Sequence, residues 1–263
     1  MSNDSHHKEN FLQKYIFSVD HKIIGLQYGI TSLLFLLFGF CLMMVMRWQL
    51  AYPETPVPIV GGLLGETGIL MPEIYNMLGA MHGTIMIFLG IVPLAVGAFG
   101  NYIVPLQIGA PNLAFPRAAT ASFWAWTVSG VVLIGAYLGN GGPYGGWANG
   151  VDLHLLALSG LVVSLLLGSI AVATTVMTMR SPGLYLDATP PFAWSALVSA
   201  SMLVVSLPVL LGQIGILYID HRYGRVFLAG NYGIWERIEW IHRTPQLFIY
   251  VVPILGVTAE FVL

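Results

Sequence analysis

The sequence predicts an all-α membrane protein, a bundle of six transmembrane helices. Two observations carry that prediction. Of 263 residues, 57% are hydrophobic and only 8% are charged, where globular chains carry about 25% charged residues. The few charges also stand between apolar runs long enough to cross a bilayer, which takes about 20 residues per helix. Backbone groups in lipid must find partners within their own element, which leaves the helical bundle as the sensible class.

Residues 1–22 are polar, with Lys8, Lys14 and Lys22 against Asp4, Glu9 and Asp20, and read as a cytoplasmic tail in which His6 and His7 are solvated. The rest, 23–263, forms one transmembrane unit. Its first span covers 23–46, too long for a signal-peptide core and without an Ala-x-Ala cleavage pattern, so it is a retained helix. The single cysteine, Cys41, lies in this run. It excludes an internal disulfide or cysteine metal cluster and reads as a small buried hydrophobe. The second span covers roughly 77–103, and the third about 118–139, ending in the Gly/Pro-rich loop 139–150. The fourth, about 153–178, stops at Arg180 and Pro182. The fifth, about 191–219, contains Pro208 as a kink. The sixth starts near Pro245 and runs to Leu263, with Glu260 close to its end. Small residues recur on the second span (Gly90, Gly97, Gly100) and the fourth (Ser164, Gly168), which suits close helix packing. A net charge of −2 gives no reason to expect nucleic acid.

The three tail lysines against Arg47 place the N-terminus in the cytoplasm by the positive-inside rule. Over all loops the basic residues divide evenly. Lys8, Lys14, Lys22, Arg117 and Arg180 fall on one side, and Arg47, Arg222, Arg225, Arg237 and Arg243 on the other. The first helix then decides.

His82 is the most informative residue. Between Glu73 and Arg117 the sequence has no Asp, Glu, Lys or Arg. An imidazole at that depth costs desolvation and marks a functional path or a ligand. With the N-terminus inside, spans two, four and six start from the outer side, and His82, His154 and His242 fall in their first turn or two. A shared layer of imidazoles points to haem or metal chemistry. For His154 and His242, which adjoin loops, plain interfacial placement is the stronger reading.

The residues around His82 are more specific than its depth. Ala80-Met81-His82-Gly83-Thr84-Ile85-Met86-Ile87-Phe88 resembles the second helix of subunit I of the haem–copper oxidases, the cytochrome c oxidase family. Asp20-His21-Lys22-Ile23-Ile24-Gly25 is similar to the start of that family's first helix, and Arg47-Trp48-Gln49-Leu50-Ala51-Tyr52-Pro53 to its end. Gly100-Asn101-Tyr102-Ile103-Val104-Pro105-Leu106-Gln107-Ile108-Gly109-Ala110-Pro111 and Ala114-Phe115-Pro116-Arg117 resemble the loop after helix two. Met179-Arg180-Ser181-Pro182-Gly183 and Leu207-Pro208-Val209-Leu210 resemble helices four and five. The resemblance implies that His82 is an axial ligand of a low-spin haem, a-type by expectation. It implies that Arg47 donates hydrogen bonds to the haem periphery, where guanidinium suits formyl or carboxylate oxygens. Trp147, in Gly146-Trp147, is implied as an outer-side neighbour of the haem. Arg47 also fits a snorkelling residue and Trp147 an aromatic belt.

The resemblance breaks in the sixth helix. Trp240, Pro245, Pro253, Gly256 and Glu260 hold the alignment without a gap. Thr244 then stands where the family has a copper-ligating histidine, Gln246 where it has a proton-passing glutamate, and Phe248 where it has a tyrosine. Threonine is no credible copper ligand, glutamine cannot exchange protons and phenylalanine has no hydroxyl. His242 is two residues from Thr244, about 200° round the helix, and does not restore the site. Asn112 replaces the usual aspartate after Gly109-Ala110-Pro111, and Ala119 a channel asparagine, so the proton entry is altered too. Copper is therefore doubtful.

The family's subunit continues into a second half that holds the other haem ligand and the remaining copper histidines. The resemblance thus implies a partner chain supplying those helices, together with other oxidase subunits. The resulting expectation is a split or remodelled subunit I in a respiratory complex of the bacterial inner membrane. It holds a haem for electron transfer and is not competent for oxygen reduction alone. The runner-up is a catalytically silent structural or assembly subunit packed against an active oxidase. A nitric-oxide-type reductase or a transporter stands behind both; the transporter predicts polar residues at mid-membrane helix breaks, and few are present.

Overall fold

The computed structural model describes residues 11–63, 67–142, 145–224 and 248–262. Among them, five helices are long and apolar enough to cross a membrane: α1 (His21–Ala51), α2 (Pro72–Ile108), α3 (Pro116–Leu138), α4 (Ala148–Thr178) and α5 (Pro191–Tyr223). A shorter apolar helix, α6 (Phe248–Val262), follows. The shortest of the five, α3, has 23 residues and extends about 35 Å at 1.5 Å per residue, more than the roughly 30 Å of hydrocarbon. The protein is thus an all-α bundle, as its apolar runs imply. The expected start of the sixth span at Pro245 lies outside the described residues.

Local chemistry explains where the helices begin and end. The side chain of Asp20 accepts the Lys22 N–H (2.8 Å), so α1 starts at His21. Pro72, Pro116 and Pro191 each occupy a helix start, where a missing N–H costs nothing. Gly109 (φ 67°) and Gly224 (φ 86°) end α2 and α5 in the left-handed conformation. Helix α2 is longer than its apolar run: it begins at Pro72 and passes through Pro93, on either side of which it winds in wide π-type turns. The wider turn relieves the clash that a proline ring makes with the preceding carbonyl. Pro208 lies inside α5 without ending it.

Helices α1 and α2 pack antiparallel through glycines. A Cβ on Gly25 would stand 2.8 Å from the Tyr102 Cβ and 2.9 Å from the Ala98 carbonyl, and one on Gly97 2.7 Å from Tyr28 Cδ1. One on Gly90 would collide with Leu36. Close approach of this kind replaces the hydrophobic drive that lipid removes. Ser122 of α3 and Ser164 of α4 exchange hydroxyl-to-carbonyl hydrogen bonds (2.8 and 2.7 Å), and the Tyr28 hydroxyl joins Ser122 at 2.7 Å. Trp126, Met81, Ile85, Leu89, Leu133 and Leu161 fill the space among these four helices. At the far end of the chain the Glu260 carboxylate of α6 accepts the Phe192 N–H (3.2 Å) in the first turn of α5, where unpaired amides and the helix dipole favour an anion.

Cys41 is exposed rather than buried. It shares an outward stripe of α1 with Ile30, Leu33, Leu34 and Leu37, and apolar character does not signal burial when lipid is the solvent. The segment before α1 is tied to the bundle: Thr120 Oγ1 donates to the Ser18 carbonyl (2.7 Å) and Gln27 Nε2 to those of Tyr15 (2.7 Å) and Ile16 (2.9 Å).

Candidate functional site

His82 is the eleventh residue of α2, about 15 Å from the helix start at 1.5 Å per residue. That is deeper than the first turn or two, because α2 begins at Pro72. The imidazole is half-buried, and its Nδ1 lies 2.8 Å from the Gly39 carbonyl oxygen of α1. A carbonyl can only accept, so Nδ1 carries the hydrogen, and in the neutral ring Nε2 keeps its lone pair. Ligating histidines are typically oriented in this way by a hydrogen bond from the other ring nitrogen.

Gly39 makes that contact possible. A Cβ there would stand 2.8 Å from Met86 Sδ and 3.4 Å from Ile85 Cγ2, so only glycine brings the α1 carbonyl so close to α2. A Cβ on Gly83, the next residue of α2, would meet nothing within 4 Å. An imidazole oriented through one ring nitrogen, with the other left to bind iron, fits haem ligation.

The other expected residues are placed differently. Arg47 is exposed near the end of α1, and Trp147, 71% exposed, is the N-cap of α4. Both stand at the end of the bundle away from His21, and no hydrogen bond among the described residues links either to His82. His154 is buried and meets the Tyr137 ring edge-on at 5.2 Å. The Tyr137 hydroxyl in turn lies 2.9 Å from Thr84 Oγ1 and 3.4 Å from the Ala80 carbonyl. Thus Tyr137, which sequence reading passed over, connects His154 to the turn of α2 that carries His82. His242, Thr244 and Gln246 lie outside the described residues. Phe248 is exposed on α6, and Ala119 is sealed in the core.

Asn112 has a structural task. Its Oδ1 accepts the N–H groups of Leu113 (2.8 Å) and His21 (3.3 Å), while Nδ2 donates to the Val19 carbonyl (3.0 Å). A carboxylate could accept the first two bonds but could not make the third. Asn112→Asp is therefore expected to destabilise the purified protein by about 1 kcal/mol, the worth of one hydrogen bond, read as a lowered thermal unfolding midpoint.

A second polar cluster joins α4 and α5. Arg222 Nη2 lies 2.8 Å from Asp152 Oδ2, and His221 Nε2 lies 3.9 Å from Oδ1. Nothing in the sequence pairs residues so far apart; the only signal was that both sit at the same end of neighbouring spans.

The fold and site together define an integral membrane helical bundle with a histidine hydrogen-bonded to the backbone of the adjacent helix. Residues 23–263 match the family described as Cytochrome C and Quinol oxidase polypeptide I, and the chain belongs to that family. It is 33% identical over 263 residues to a cytochrome c oxidase subunit 1 of Thermostichus vulcanus, covering 94% of this chain and 45% of the relative. It is 34% identical over 273 residues to that of Synechocystis sp., covering 98% and 47%. A putative cytochrome c oxidase subunit 1-beta of Streptomyces avermitilis is 32% identical, covering 94% and 45%. The chain spans about half the length of these curated relatives and corresponds to the N-terminal half of subunit I.

Proposed function

We propose that the chain is a half-subunit I of a respiratory cytochrome c oxidase-type complex in the bacterial plasma membrane, N-terminus in the cytoplasm, and that His82 holds a low-spin, a-type haem. The observation that carries this reading is the hydrogen bond from His82 Nδ1 to Gly39, which presents Nε2 as a ligand atom. A haem held there would supply one-electron exchange between ferric and ferrous iron. The protein's part is to orient the imidazole, to exclude water with the apolar core of α1–α4, and to offer Arg47 and Trp147 near the haem periphery. The second axial ligand would come from the other half of subunit I, beyond residues 1–263.

Oxygen chemistry is not this half's task. Thr244, Gln246 and Phe248 lack a copper ligand, a proton carrier and a hydroxyl at the positions where the resemblance expects them. Haem and metal analysis of the purified complex tests the reading: low-spin haem in stoichiometric amount with this chain is expected. A complex without haem would establish the silent structural subunit instead.

A further inference from the structure

His154 and Gln213 are polar side chains sealed inside the bundle, each only 4% exposed. Among the described residues, neither His154 Nδ1 nor Gln213 Nε2 has a hydrogen-bond partner. His154 lies about 9 Å from the start of α4, and Gln213 about 15 Å from the end of α5, at 1.5 Å per residue. Bulk water does not reach that depth, and a buried polar atom left unserved there carries its full desolvation cost. Both side chains border one cavity of about 290 Å³ among α2, α4, α5 and α6. Its walls are otherwise mostly apolar, with Leu161, Leu207 and Ile249 among them, and Thr84 and Ser206 add two hydroxyl side chains. Thr84 donates its hydrogen to the Ala80 carbonyl (2.8 Å), so it offers a guest only a lone pair.

We infer that this cavity is an internal hydration site, with ordered water bound to His154 and Gln213. No carboxylate, ammonium or guanidinium lines it, so a charged occupant would be stranded among leucines. Among the described residues no cluster of His, Cys, Asp and Glu could hold a metal ion. A lipid tail would leave both polar atoms unserved. The Gln213 amide nitrogen can only donate, whereas His154 Nδ1 donates in one tautomer and accepts in the other. Water does both, so it serves the two residues whichever tautomer is present. At about 30 Å³ per molecule the cavity has room for several waters; those with polar partners are held, and the apolar stretches stay dry. Hydrogen bonding through such water would also join α4 to α5, which have no hydrophobic drive to associate in lipid. The site stands whether or not His82 holds haem.

Two measurements on the intact purified complex test this. The first is an electron-microscopy map at a resolution that shows buried waters elsewhere in the complex. Water density is expected within about 3.2 Å of His154 Nδ1 and of Gln213 Nε2. His154→Leu and Gln213→Leu, which keep apolar bulk, should each lose the density beside the changed residue. The second is hydroxyl-radical footprinting by X-ray radiolysis, which needs no variant. Radicals form from the bound water itself, so Leu161 on the cavity wall should be oxidised although it is 1% exposed. Leu89 and Leu133, just as buried but not on that wall, should stay unmodified. Four results would overturn the proposal: a map with no density in the cavity, density of a lipid tail or a lipid-soluble carbonyl compound, protein partners from another chain on both atoms, or Leu161 as unreactive as Leu89.

Discussion

His82→Ala is expected to remove the proposed low-spin haem band from the reduced-minus-oxidised optical spectrum of a complex that still assembles. The change deletes the only atom on α2 argued to reach the iron, yet spares the helix, since alanine has the highest helix propensity. The packing residues on either side, Leu78, Met81 and Ile85, stay buried in their places. Gly39 loses a partner, but its carbonyl is not orphaned, because it belongs to the continuous hydrogen-bonded run of α1. Assembly and spectrum therefore separate, and co-purification with the other subunits is the internal control. His154→Ala is the matched comparison: its ring packs on Tyr137, and the band should persist. An unchanged spectrum in His82→Ala would remove the ligand assignment.

Gly39→Val has the second largest expected effect, and it acts without touching the histidine. The new Cβ would lie 2.8 Å from Met86 Sδ and 3.3 Å from Met86 Cγ, before the two methyl groups of valine are counted. Methionine can yield somewhat, but Ile85 behind it is fully buried, so α1 and α2 must separate. Overpacking of this kind costs about 1–3 kcal/mol. The separation also breaks the hydrogen bond that sets the His82 tautomer and ring angle, and loss of such an outer-shell partner lowers affinity for the bound group about 10–100-fold. The haem-to-protein ratio of the purified variant should fall and its band should shift or broaden. A fully loaded Gly39→Val with an unshifted band would show that the Gly39 contact is packing alone.

The helices were legible because charge is costly in lipid: each apolar run between charged residues became a helix of the bundle. Their ends were less so. Pro72 and Glu73 are not apolar, yet they form the first turn of α2, and this moved His82 from the outer turns to the eleventh position. Cys41 was misread because burial and hydrophobicity come apart when the solvent is lipid. His82 itself stood out, since an ionisable ring in a long uncharged stretch has few innocent explanations. Its partner did not, because Gly39 contributes a backbone carbonyl, and that has no letter in the sequence. Asn112 shows what a residue pattern leaves out: read as the replacement of a carboxylate, it also uses an amide hydrogen that a carboxylate lacks. Tyr137 and the Asp152–Arg222 pair depend on which helices become neighbours, and residue patterns along one chain do not encode that.

The claim that His82 anchors a six-coordinate haem is tested most directly by adding carbon monoxide to the reduced, purified complex and recording the difference spectrum. A haem with both axial positions filled by protein ligands has no place for the gas. The expected result is a low-spin band, stoichiometric with this chain, that carbon monoxide leaves unshifted. A complex in which no such band exists, or in which all the haem responds to carbon monoxide, would contradict the account.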